Sequence, residues 1–234
     1  MPDQICERFD RIKELASQEP DYLLNEIVLS TIEEFSIDES HGLQHHQNVV
    51  YFLKQIMPEE WSDHQKELAR ICAHVHDLVD SKYQADKNLP RLLKFLKDNF
   101  PLSPEDIETI SFVITHISFS KRRKNLEEEK SEFGTNDQFR IQICQVVADA
   151  DMMDAYDPRR AEEYQTIKFA FLNDDKERQL EIVSWCRTIF EKRVLQYLAT
   201  WLRTEKTKEL AYPFHEEATE YCQKHYTNGQ LRDY

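Results

Sequence analysis

Apolar residues recur at three- and four-residue intervals over most of this chain, a spacing that predicts helices. The first two fall at 4–18 and 21–35, where Pro20 stops one and Asp21 caps the next. A third follows the cap-rich loop 36–40, buries Val49, Val50, Phe52, Leu53 and Ile56, and closes at Pro58. A fourth begins at Ser62-Asp-His64, carries a stripe of Leu68, Ile71, Cys72 and Val75, and ends on His76-Asp77. His64 lies near its start and is expected at the surface. Further helices are expected at 89–100, at 139–153, and from Ser103-Pro104-Glu105-Asp106 to Ile117, where the start signal is strong.

Long helices at 160–172, 175–203 and 207–226 complete the pattern, with Pro213 kinking or interrupting the last. Their Phe169, Phe171, Leu180, Trp185, Phe190, Leu195, Leu198 and Trp201 are assigned to the core. The charged stretch Lys121-Arg-Arg-Lys124 to Glu132 is expected to be a mobile, solvated loop. Its functional alternative is that residues 121–124 meet substrate phosphates over a neighbouring site; a nuclear signal is a third reading.

Only three glycines occur in 234 residues. Such scarcity favours helices, gives an all-α fold class, and removes any phosphate-cradling or dinucleotide loop. The length suits one domain, 1–234, and no repeat, low-complexity tract or linker divides it.

With 30 basic against 44 acidic residues the formal charge is −14, which repels duplex nucleic acid. A phosphate-bearing substrate therefore needs a local positive site, such as a metal ion. Cys6, Cys72, Cys144, Cys186 and Cys222 lie far apart and read as buried free thiols in a reducing compartment. No apolar run approaches 18 residues and the first residues do not form a signal peptide. No membrane association is expected, and the compartment is the cytoplasm with the nucleus left open.

The chemistry gathers at helix ends. His76 and Asp77 are adjacent, so on a helix they point about 100° apart and share a target only beside the helix terminus. Taken alone, the pair is also explained by a core histidine and a helix-end acid. His41, His45 and His46 crowd six positions, with His41 and His45 on one face of the expected helix. Asp149, Asp151 and Asp154 follow an apolar run, where an unpaired carboxylate must shift its pKa or find a cation. In order, His45, His76-Asp77 and Asp151 make a mixed nitrogen and oxygen donor set. Such a set suits Mn²⁺, Fe²⁺, Co²⁺ or Ni²⁺, with Mg²⁺ possible.

These stretches resemble the HD-domain metal-dependent phosphohydrolases, in particular the small stand-alone bacterial type. The shared pieces are His45-His-Gln-Asn48-Val49, Val75-His76-Asp77, Asp149-Ala-Asp151-Met-Met-Asp154, and Thr207 with Leu210-Ala211 and Phe214-His215. The resemblance covers most of the chain and implies an all-helical bundle with additional C-terminal helices. Its core would be about 21–155, with 1–20 and 156–234 packed on it.

It further implies that His45, His76, Asp77 and Asp151 hold one divalent metal ion, Mn²⁺ first. Asp80 would orient or deprotonate the attacking water, and Lys82 would contact phosphate. Asp151 is preferred over Asp149 because the family's Ala-Asp precedes a hydrophobic residue. Asn48 replaces the usual arginine, and Pro213 sits in a helix that is normally continuous. The implied function is hydrolysis of a nucleotide phosphoester or phosphoanhydride. The alternatives are a non-catalytic metal-binding regulatory module and a di-iron HD oxygenase. The oxygenase needs further histidines, and only His116 lies between His76 and Asp151.

Overall fold

Helices begin where capping side chains satisfy their free backbone donors. In the computed structural model Asp21 accepts from the Leu24 N–H at 3.1 Å, and Ser62 with Gln65 and Ser103 with Asp106 form reciprocal capping boxes. The structure describes residues 3–18, 21–38, 41–79 and 85–226, and these contain no strand.

The elements are α1 (Gln4–Ala16), α2 (Tyr22–Phe35), α3 (Leu43–Ile56) and α4 (Asp63–Val75), the last continued by a 3-10 turn, His76–Val79. Then come α5 (Ala85–Asn99), α6 (Pro104–His116), α7 (Phe119–Glu127) and α8 (Gln138–Asp154). The rest is α9 (Pro158–Lys168), α10 (Asp175–Lys192) and α11 (Glu205–Tyr221). A 3-10 turn (Val194–Gln196) and a π turn (Tyr197–Trp201) join α10 to α11.

Helix α3 packs against α8, α4 and α1, while α4 also meets α8, α6 and α2. Val49, Phe52 and Leu53 of α3, Leu68, Ile71 and Val75 of α4, and Ile143 and Val147 of α8 are buried and fill the space between them. Buried apolar residues from Ile5 to Tyr226 form one cluster. The arrangement matters because the end of α4, the start of α3 and the end of α8 meet at one place. All five cysteines are free and buried, and His64 is exposed, pairing with Asp106 at 2.9 Å. No helix among the described residues is long and apolar enough to cross a membrane.

Several expectations are corrected. The chain does not run as one helix over 175–203: α10 ends at Lys192, and Arg193, at φ −131° and ψ −69°, leaves the helical region. No proline or glycine marks this break, and Phe190, Val194 and Tyr197 keep helical spacing across it. Pro213 does not interrupt α11, because the buried stripe of Thr207, Ala211, Phe214 and Ala218 holds the helix together around it. Phe171 (72%), Leu180 (63%) and Trp185 (43%) are exposed on the α9–α10 hairpin, whereas Phe169 and Phe190 are buried.

The charged stretch after Lys121 is largely exposed, as expected, but it is not all loop and one of its cations is enclosed. Helix α7 occupies its first half, and Arg122 is fully buried. Its Nε donates to Glu132 at 2.8 Å and a terminal nitrogen donates to the Trp201 carbonyl at 3.1 Å. Phe133 and Trp201 flank the guanidinium at 5.2 and 5.5 Å, and Arg203 donates to the other Glu132 oxygen at 2.7 Å. Truncating one partner of such a buried pair strands the other charge. Arg122→Ala is expected to lower the unfolding free energy by about 3–5 kcal/mol in urea titrations. A loss under about 1 kcal/mol would show that the clamp contributes little.

Candidate metal centre

Three pieces of backbone bring four candidate donors together, three of them around one point. His45 occupies the first turn of α3, and Asp151 lies one turn before the end of α8. His76 and Asp77 sit where α4 tightens into the 3-10 turn. There adjacent side chains converge, with His76 Nε2 only 3.4 Å from Asp77 Oδ1.

His45 Nε2 lies 3.2 Å from His76 Nε2, 3.2 Å from Asp77 Oδ2 and 3.6 Å from Asp151 Oδ1. His76 Nε2 is also 3.6 Å from Asp151 Oδ1. Donor atoms of His45, His76 and Asp151 all fall within 4.8 Å of one another, so this cluster can hold a metal ion.

The far nitrogen of each ring is fixed from behind. His45 Nδ1 donates to Asp154 Oδ2 at 2.7 Å, and His76 Nδ1 donates to the Ala73 carbonyl at 2.9 Å. When neutral, each ring therefore turns its Nε2 lone pair toward the common point, the tautomer an ion requires. Both rings are buried, while the Asp77 and Asp151 side chains keep 22% and 24% of their surface exposed. The donor set thus has a dry back and a wet front.

The three acids of α8 have three different tasks. Asp149 is fully buried and accepts the Arg203 and Thr204 backbone N–H groups at 3.0–3.1 Å, fastening the start of α11. Asp151 faces the centre. Asp154 supports His45, and also accepts from Asn48 Nδ2 at 2.8 Å and pairs with Arg160 at 2.9 Å. The cation that Asn48 does not supply comes to this carboxylate from α9.

His41 precedes α3 instead of sharing its face with His45, yet its Nε2 is 3.8 Å from Asp77 Oδ2. His46 stacks 5.5 Å from both His45 and His76 with no hydrogen-bond partner for either ring nitrogen, and burial keeps its pKa far down. His116 stacks on Phe112 at 4.1 Å and lines a separate cavity with Arg140. Asp80 and Lys82 lie outside the described residues.

Two cavities meet at the wet front, and Asp77, Asp151, Ser118 and Ser120 line both. One, about 370 Å³, is walled by Phe119, Tyr164, Ile189, Arg160 and Arg193. The other, about 590 Å³, is walled by Lys121, Lys124 and Lys130 with Glu128. Of the four basic residues 121–124, then, Lys121 and Lys124 reach the site, whereas Arg122 turns inward. Arg160, Arg193 and the supporting role of Asp154 were not foreseen. Only Asp154 left a signal, its place in the acidic triplet.

Burial alone would lower the His76 pKa, but Asp77 and Asp151 outweigh it and push the imidazole up to about 9. Burial would likewise raise both carboxylates, and His76 and His45 hold them below the usual range. An ion needs the neutral ring. Below pH about 9 binding must therefore expel a proton. Affinity is expected to rise by about tenfold per pH unit through neutrality and to level off above the His76 pKa. Calorimetry with Mn²⁺ in buffers of differing ionisation enthalpy measures the proton released.

A pair of variants separates the neighbouring acids. Asp149→Ala should destabilise the fold by about 2–4 kcal/mol through two stranded backbone donors, while Mn²⁺ affinity stays within about twofold. Asp151→Ala should weaken Mn²⁺ binding by about a hundredfold or more. The opposite pattern in chemical denaturation and metal titration would reverse the assignment. The centre is interpreted from its own atoms, because no family model, curated protein or solved structure matches the chain.

Proposed function

We propose that this chain is a metal-dependent phosphohydrolase of the HD-domain kind, acting on a phosphoester or phosphoanhydride bond of a nucleotide. One observation carries the reading. Two imidazole Nε2 atoms stand 3.2 Å apart with their Nδ1 atoms engaged, and two partly exposed carboxylates flank them at the mouth of a cleft. Two nitrogen and two oxygen donors favour Mn²⁺, with Fe²⁺, Co²⁺, Ni²⁺ or Mg²⁺ also compatible. When bound, such an ion supplies positive charge to a phosphoryl oxygen and acidity to a water.

The chain's residues account for the remaining requirements. His45 and His76 hold the ion from the dry side, kept in orientation by Asp154 and Ala73. Asp77 and Asp151 hold it from the wet side, where substrate enters. Lys121, Lys124 and Lys130 outnumber Glu128, which pairs with the last two, and leave one wall net positive in a chain of net charge −14, which suits phosphate oxygens. Asp80 follows the His76–Val79 turn, three residues beyond Asp77. In this reading Asp80 takes the proton of the attacking water and Lys82 contacts phosphate.

A di-iron oxygenase would need more histidine at the centre, and His116 faces a different cavity. A regulatory module would bind the ion without turnover.

The test is a screen of nucleoside mono-, di- and triphosphates with Mn²⁺, reading both phosphate and pyrophosphate. Turnover supports the hydrolase; metal binding with no release of either product supports the module; two irons with oxygen consumption support the oxygenase. Asp77→Ala should abolish turnover together with metal binding. Asp80→Asn should retain the metal and lose about 10²–10⁴-fold in kcat. Full activity in Asp80→Asn would remove that residue from the mechanism.

A further inference from the structure

The smaller cavity holds a cation that, among the described residues, makes no ion pair with an acid. Arg160, beside it, is paired with Asp154, and Arg122 and Arg203 share Glu132. Arg193 has no carboxylate within ion-pair distance among the described residues. Its contacts are to two aromatic rings. Nε donates to the Tyr197 hydroxyl at 2.6 Å, and the guanidinium lies over Phe119 at 4.6 Å. Tyr197 is itself fully buried, so it is a rigid post. Both terminal NH₂ groups of Arg193 remain without a protein acceptor among the described residues.

The backbone is arranged for this. Arg193 is the residue at which α10 breaks, and the 3-10 and π turns that follow place Tyr197 against its guanidinium. Arg193 is solvent-exposed, and Tyr197, Asp151 and Asp77 favour its charged form. With a dication on His45, His76, Asp77 and Asp151 the two acids are balanced, 2 − 2 = 0. The positive charge of Arg193 is then left to face the cavity. A guanidinium held by its Nε presents the forked edge that matches two phosphoryl oxygens.

We propose that Arg193 is the anion-anchoring residue of the centre, its NH₂ edge gripping non-reacting phosphoryl oxygens in the cavity it shares with Asp77 and Asp151. The identity of the anion rests on the phosphohydrolase reading; the existence of the anion site does not. The Lys121 wall then receives a different part of the same ligand, across the metal ions' donors. Because Asp77 and Asp151 compete for the guanidinium when unbalanced, the grip is strong only in the metal-loaded protein.

The experiment titrates inorganic phosphate into the Mn²⁺-loaded full chain by calorimetry. Wild type should bind, and should bind at least about tenfold more weakly once the metal is stripped. Arg193→Ala should weaken phosphate by about 10–100-fold with Mn²⁺ stoichiometry unchanged. Arg193→Lys should recover part of the loss, since an ammonium restores charge without the fork. Arg187→Ala, on the exposed side of α10 and paired with Glu191, should match wild type. Should Arg193→Ala melt early, Arg193→Gln is the decisive variant, because it removes the charge while keeping a donor for Tyr197.

Phosphate binding that is absent in wild type, or equal in wild type and the Arg193 variants, overturns the proposal. If no nucleotide is turned over yet phosphate binding still depends on Arg193, the anchor stands and the hydrolase reading falls. If nucleotides are hydrolysed with the same KM and kcat by Arg193→Gln, the anchor falls and the hydrolase reading stands.

Discussion

Asp154 is a carboxylate with no solvent exposure, and a charge in that position survives only if several partners offset its lost hydration. It takes hydrogen bonds from His45 and Asn48 on α3 and an ion pair from Arg160 on α9. Together these hold its pKa below the usual carboxylate value against the opposing effect of burial. Three helices are thereby registered on one side chain. The same contact fixes the His45 tautomer, so the nitrogen that would face an ion is decided by a residue outside the donor set.

The apolar spacing made the helical class and most helix positions legible, because periodicity and caps are local properties. The α3, α4, α6 and α8 segments form much as their stripes and capping residues require. What the spacing could not show was the break at Arg193, where the stripe continues but the backbone does not. Nor could composition show which cation of an exposed charged run turns inward. Arg122 is enclosed because Glu132, Phe133 and the Trp201 carbonyl surround it, two of them nearby in sequence and one 79 residues away.

The candidate centre divides along the same line. His45, His76, Asp77 and Asp151 stood out as costly residue types at helix ends, and the fold brings the other three within 3.6 Å of His45 Nε2. Asp149 looked equally promising in sequence. It is two residues from Asp151 and therefore on the opposite side of α8, where it meets backbone instead of the cleft. The cations opposite the centre come from α7, α9 and the end of α10, with no motif to announce them. They set positive charge opposite Asp77, Asp151 and Glu128 in a chain whose net charge is −14.

The Asp149 clasp has an effect that reaches beyond stability. The amide hydrogens of Arg203 and Thr204 point into a carboxylate with no solvent exposure, and Trp201, two residues earlier, is held through its carbonyl by Arg122. Deuterium can enter those amides only when α11 lifts from α8. They are thus natural reporters of breathing in the segment that carries Tyr197 and Arg193, readable without any label near the cleft itself.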